Sequence, residues 1–200
     1  MASDFHTHHR PAPGIDALIS TPEYLPDAKI SLQRHPWHLP ETFAPQPELA
    51  GQLARFDALG EVGLDRTRGP ELAVQQQYLR DSLRLAQELR KPVVLHVVRC
   101  FPEVFAALRP LKLRVMVHGF RGTPELLDEL WRRGMTVSFH RSALDREEIR
   151  RKLRRPAGPF GFESDDDPKT TVRDLLETCG VPQAEERTDQ YFADFLGERA

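Results

Sequence analysis

Short β-rich apolar runs recur through this 200-residue chain, and most of them end in a histidine or an acid. The first is Asp4-Phe5-His6-Thr7-His8; GEVGLD at 60–65, PVVLHVV at 92–98, VMVHGF at 115–120 and FGFESD at 160–165 follow. Side chains two apart on a strand point the same way, so Asp4, His6 and His8 are expected on one face of one strand. Two imidazoles with a carboxylate behind them make a start on a divalent metal site. Glu61, His96, His118 and Asp165 sit at the ends of later runs. Ionisable residues at many consecutive strand ends fit a parallel barrel whose reactive face lies at the C-terminal ends of its strands.

The runs predict strands near 4–8, 16–20, 29–34, 57–63, 92–98, 113–119, 135–140 and 160–164. Amphipathic segments separate the later ones, with helices predicted near 70–90, 101–109, 123–134, 142–154, 168–179 and 184–197. Leu72, Leu79, Leu83, Ala86 and Leu89 mark the buried face of the first, with Pro70 at its start and Pro92 after its end. Ser142 and Asp145 read as a capping pair for the fourth. The alternation is that of β/α units in an α/β fold. Only HRPAPGI and TPEYLPDA separate the first three strands, and both are proline-rich and too short for a covering helix. The expected fold is therefore a reduced (β/α)8 TIM-type barrel without some of its early outer helices, a single domain over residues 1–200. The helix-poor wall should be covered by the C-terminal helix or by a second copy of the chain.

Composition sets bounds on partners. The chain carries a net charge of −2, which argues against a generally basic nucleic-acid coat. An enzyme can still grip phosphates locally through metals and a few arginines. Two cysteines without a signal-like apolar N-terminus point to free thiols in a reducing compartment, and the cytoplasm is the expected location. No apolar run reaches the roughly 20 residues of a membrane helix. The arginine-rich stretch from Arg141 to Arg155 alternates with Asp145, Glu147 and Glu148, the pattern of a solvated helix face.

His6, His8, His96 and His118 offer nitrogen ligands and Glu61 and Asp165 carboxylates. Six ligands exceed the needs of one tetrahedral zinc but suit two divalent ions sharing a bridging carboxylate, with Mg, Mn or Zn as candidates. The ordered set DFHTHH, HPW, GEVGLD, KPVVLH, VHGFRG and ESD resembles the TatD-like deoxyribonuclease family of the amidohydrolase superfamily, in a compact branch with an HGFRG signature. The resemblance runs from about residue 3 to 166. It implies metal ligation by His6, His8, Glu61, His96, His118 and Asp165, with Glu61 bridging two ions and Asp165 placed to take a proton from the attacking water. It implies a substrate-phosphate role for His35, and Arg121 is a further phosphate candidate because its planar guanidinium presents paired donors. Glu163 is expected as a ligand or its supporting partner, and Asp65 as the hydrogen-bond acceptor that fixes a ligand imidazole.

The same resemblance implies hydrolysis of phosphodiester bonds, with DNA as substrate, taken from a single-stranded 3′ end. The sequence departs from the family pattern at Arg34, where glycine is usual, at Arg99 and at Pro168. These departures keep a rival open, a metal-dependent hydrolase of a small amide, ester or phosphoester. A non-catalytic binding subunit is a third reading, although every ligand position is filled. Phe101, Phe120 and Trp37 stand near strand ends, where they could stack on a base or simply pack. Cys100 reads as an inert thiol.

Overall fold

The computed structural model describes residues 2–198. In chain order the elements are β1 (Ala2–Thr7), β2 (Ile15–Thr21), β3 (Lys29–Leu32), a 3-10 turn (Pro36–His38), α1 (Leu49–Leu53), β4 (Ala58–Asp65), α2 (Leu72–Glu88), β5 (Val93–Val98), α3 (Phe101–Leu108), β6 (Val115–Val117), α4 (Pro124–Arg132), β7 (Thr136–Phe139), α5 (Arg141–Leu144), α6 (Glu147–Arg154), β8 (Phe160–Phe162), α7 (Val172–Cys179) and α8 (Ala184–Leu196). The strands follow one another in chain order as a closed parallel barrel. No helix is described between β1 and β2 or between β2 and β3, as the two short proline-rich connections predict. No helix of the described residues is long and apolar enough to cross a membrane.

The chain divides into two compact units, one built from Met1–Ile19 and Met116–Ala200, the other from Ser20–Val115. In the first, α8 packs on β1 and β8, and Phe5 meets Phe192 with ring centroids 5.1 Å apart. Here the C-terminal helix covers the barrel wall. Among the described residues the only large hydrophobic side chain exposed to solvent is Tyr24. A sharp boundary opens α7, where Thr171 and Asp174 form a reciprocal capping box.

The predicted helix over 142–154 is two helices, and the capping pair is not made: Asp145 closes α5 and Arg146 precedes α6. The reason lies in the apolar spacing. Leu144 and Ile149 are both buried, yet five residues of continuous helix would set them roughly 140° apart. Breaking the helix lets both face inward. Arg146 then turns its guanidinium onto the carbonyls of Arg121 and Gly122.

In the second unit, α2 lies against β4 and buries Tyr78, Leu79, Leu83 and Ala86. The Tyr78 hydroxyl donates to the Thr42 carbonyl and accepts from the Ala44 N–H, tying the long connection after β3 to this helix. Strand β4 is buried along all eight residues and contacts β5 through the pairs Gly63–His96 and Leu64–Val97. Between Leu59 and Val62 the register slips, three steps on β4 opposing two on β5. The slip spans Glu61 and turns its side chain relative to a regular strand.

Gly63 is required by this close pairing. Its φ is +156°, and a Cβ built there would lie 1.8 Å from the His96 carbonyl oxygen. Gly63→Ala should therefore cost about 3 kcal/mol, from strand displacement and backbone strain together. Gly51→Ala in α1, where a Cβ meets nothing within 4 Å, should be neutral or slightly stabilising. Urea denaturation of the two variants checks both.

Candidate metal centre

In the first unit the ends of β1 and β8 are laced together beyond the regular strands. The His8 N–H donates to the Asp165 carbonyl (3.2 Å), and the Asp165 N–H donates to the His6 carbonyl (3.1 Å). Asp165 takes a left-handed backbone, φ +52°, a conformation that aspartate adopts more readily than most residues. This brings its carboxylate to 3.7 Å from Nε2 of both His6 and His8. His6 is fully buried and its ring centroid lies 4.5 Å from that of His118. Donor atoms of His6, His118 and Asp165 all fall within 4.8 Å of one another. Asp166, the additional acid of the ESDDD run, reaches 4.0 Å from His8.

Glu163 is buried behind this group. Its Oε1 lies 3.7 Å from His118 Nδ1 and its Oε2 accepts from the Ser138 hydroxyl. Burial works against charge on this carboxyl, but His118, His6 and Ser138 outweigh it and hold its pKa below the usual carboxylate range. Ser138 escaped the sequence reading. Its only signal is a small polar residue at a buried position of TVSF.

The second unit gathers another group: donor atoms of His35, Glu61 and His96 also lie within 4.8 Å of one another. His96 stands between two acids, with Nε2 3.3 Å from Asp65 Oδ2 and Nδ1 3.6 Å from Glu61 Oε2. A proton on Nε2 directed at Asp65 leaves the Nδ1 lone pair on the Glu61 side. Asp65 also accepts from Trp37 Nε1 (2.6 Å), from the Thr67 N–H (2.7 Å) and from the Thr67 hydroxyl (2.6 Å). Burial would raise its pKa, yet the Thr67 and Trp37 hydrogen bonds, with His96, hold it at about 2. His35 Nδ1 accepts from the Trp37 N–H (3.2 Å), and its Nε2 lies 3.5 Å from Glu61 Oε2. Two further residues touch Glu61 without having been singled out in the sequence. Gln33 Nε2 donates to Oε1 (3.4 Å), and the Ser20 hydroxyl accepts from the Glu61 N–H (3.2 Å).

Each group suits a divalent cation by the chemistry of its donors: imidazoles with carboxylates, two of the three buried in each group, and in His96 an imidazole backed by an acid. Other placements differ from the sequence expectations. His8 lies past the end of β1 rather than on the strand. Arg34 does not face the group beside it; it turns toward α2, with Nη1 donating to Ser82 Oγ and Nη2 to Gln46 Oε1. Arg121 is exposed after β6. Phe120 is buried against Phe139, so it packs rather than offers a stacking face. Cys100 is buried, and burial pushes its thiol pKa up. Arginines in and just before α6 pair with neighbouring acids, Arg150 and Arg154 with Glu147 and Arg146 with Glu148.

A family model described as TatD related DNase matches residues 19–165, a span that holds His35, Glu61, His96, His118 and Asp165 but not His6 or His8. An uncharacterized metal-dependent hydrolase of Methanocaldococcus jannaschii is 32% identical over 82 residues, 41% of this chain and 32% of its own length. A 3′-5′ ssDNA/RNA exonuclease TatD of Edwardsiella piscicida is 30% identical over 153 residues, 67% of this chain and 57% of its own. The chain thus spans about a third of the first curated relative and somewhat over half of the second. Among solved structures, YJJV, a TatD homologue of Escherichia coli K12, matches over 98% of this chain and 89% of its own, with a TM-score of 0.67 at 21% identity. A hydrolase TatD family protein of Entamoeba histolytica matches over 76% and 61%, with a TM-score of 0.60 at 18% identity. At these identities the likeness of the structures is one of fold.

Asp4 is the carboxylate whose role the sequence misplaces. Instead of backing the imidazoles, it accepts from the Ser164 N–H (3.1 Å), the Ser164 hydroxyl (2.7 Å) and the His6 N–H (3.3 Å). Burial nevertheless dominates and raises its pKa to about 6. The folded state therefore holds this proton more tightly than the unfolded chain. Stability from Asp4 is full below about pH 4 and declines as pH rises to about 6, by on the order of 3 kcal/mol. Asp4→Asn should flatten that decline and make the chelator-treated protein relatively more stable at pH 7–8. Urea titrations of both proteins from pH 4 to 8 read the difference.

Proposed function

The chain belongs to the TatD related DNase family, and we propose that it is a metal-dependent hydrolase cleaving phosphodiester bonds from the 3′ end of single-stranded DNA. The observation that carries the reading is His96, held by Asp65 on one nitrogen and facing Glu61 with the other. An imidazole oriented by an acid, with its lone pair beside a second acid, is how a metal ligand is built and is costly to bury otherwise. Support for the substrate comes from the family and from the Edwardsiella relative, whose name is that of an exonuclease on single-stranded DNA and RNA. The cytoplasm is the proposed location, in keeping with two buried free cysteines.

His6, His8, Glu61, His96, His118 and Asp165 are the residues that would hold the two divalent ions, Mg, Mn or Zn, with Glu163 in support. Such ions supply positive charge that acidifies water and offsets the charge developing on phosphoryl oxygens. The remaining work falls to the side chains. Asp165, partly exposed and beside His6 and His8, accepts the proton of the attacking water. Because His35 Nδ1 accepts from the Trp37 N–H, its Nε2–H is the donor that would hydrogen-bond a phosphate oxygen. Ser138 keeps the Glu163 carboxylate oriented, and Asp65 keeps His96 from rotating.

The test is incubation of the protein with 5′-labelled single-stranded DNA in Mg, Mn or Zn. A metal-dependent ladder shortening from the 3′ end is expected, reduced at least about 100-fold in His96→Ala and Asp165→Asn. A folded protein that binds metal and cleaves no DNA would overturn the nuclease reading in favour of a small ester or phosphoester hydrolase. Asp65→Asn should weaken metal affinity by about 10- to 100-fold without removing a ligand, measurable by competition with a chromogenic chelator.

A further inference from the structure

The loop that follows β4 carries two arginines with opposite fates. Arg66 is engaged: its guanidinium donates to Glu103 and to the Arg99 carbonyl. Arg68 is exposed, and its guanidinium makes no hydrogen bond or ion pair among the described residues. It lies instead over the Trp37 ring, with Cζ 4.0 Å from the ring centroid. Stacking of this kind holds a guanidinium in place and leaves its N–H fork available.

Both members of the pair are rigidly mounted. Trp37 is fixed through Nε1 to Asp65 and by edge contacts with the rings of His35 and His96. Beneath Arg68 the loop is clamped by Gln75, whose buried amide Nε2 sits 2.8–3.1 Å from the carbonyls of Asp65, Arg68 and Pro70 while its Oε1 accepts from the Asp65 N–H. Gly69 presses the loop onto the 3-10 turn: with φ +90°, a Cβ there would lie 2.4 Å from the Pro36 carbonyl oxygen. An ordinary surface arginine is mobile and hydrated; this one is stacked, backed by a fixed loop, and set beside the His35, Glu61 and His96 group.

We propose that Arg68, stacked on Trp37, is a substrate-binding residue that takes a phosphate flanking the scissile one and so favours a nucleic-acid strand over a small phosphoester. The proposal rests on the nuclease reading. A planar fork with paired donors matches two phosphate oxygens, and prior stacking lowers the side-chain entropy lost on binding.

The test is equilibrium binding of a 5′-fluorescein, phosphorothioate-linked oligothymidylate, which resists hydrolysis, followed by anisotropy in Mn buffer across a series of salt concentrations. Metal-dependent cleavage of unmodified single-stranded DNA is measured beside it. Arg68→Gln should weaken binding about tenfold and take about 0.7 off the magnitude of the log–log salt slope, the share of one phosphate contact on a single strand. Arg68→Lys should restore the slope but not the full affinity, because it keeps the charge and loses the planar stack. Arg155→Gln, at an exposed residue just after α6, should leave both unchanged. Wild-type cleavage with unaltered affinity and slope in Arg68→Gln would overturn this inference alone. A wild-type protein that neither binds nor cleaves the strand would overturn it together with the nuclease reading.

Discussion

The Asp65 carboxylate accepts from an indole N–H, a backbone N–H and a hydroxyl, and His96 Nε2 faces it as well. One ionised group therefore sets the orientation of a tryptophan, an imidazole and the first turn of the loop after β4. Hydrogen bonds to a charged acceptor are roughly twice as strong as neutral ones, and their number keeps this acid ionised far below neutral pH. Its location follows from β4, a strand buried along its whole length, which ends with that carboxylate inside. Neutral replacement would loosen three side chains at once. That makes Asp65 a point on which the geometry of the second unit depends.

A second constraint is register. Both β1 and β4 oppose two residues of a neighbour with three of their own, and the slips fall between Asp4 and Thr7 and between Leu59 and Val62. Each interval contains a candidate ligand, His6 in one and Glu61 in the other. A regular parallel strand repeats its side-chain directions every second residue, so a slip is an economical way to turn one side chain while the rest of the strand keeps its pairing. The glycines around Glu61 fit that need, since β5 approaches Gly63 too closely for any side chain.

Much of this was legible in the chain itself. The strands that carry or lead into His6, Glu61, His96, His118 and Asp165 could be read from short apolar runs interrupted by ionisable residues, although Glu61 and His96 stand within β4 and β5 rather than at their ends, and the absent early helices could be read from two brief proline-rich connections. What could not be read depends on partners far away in sequence. Asp4 binds Ser164, and Arg34 reaches Ser82 rather than the group beside it; neither spacing leaves a local trace. The break between α5 and α6 is a different case. The five-residue step from Leu144 to Ile149 announces it, but the dense charge pattern of 141–155 suggests one continuous solvated helix and masks the signal.

The Gln75 clamp has a consequence beyond the present sequence. Because a buried amide from α2 holds three main-chain carbonyls, the path of the loop is set without help from the side chain at position 68. The path of the loop and the side chain it displays are thus set by different residues. Position 68 can therefore be exchanged while the scaffold stays as it is, so the charge displayed on this face is open to change without loss of the fold.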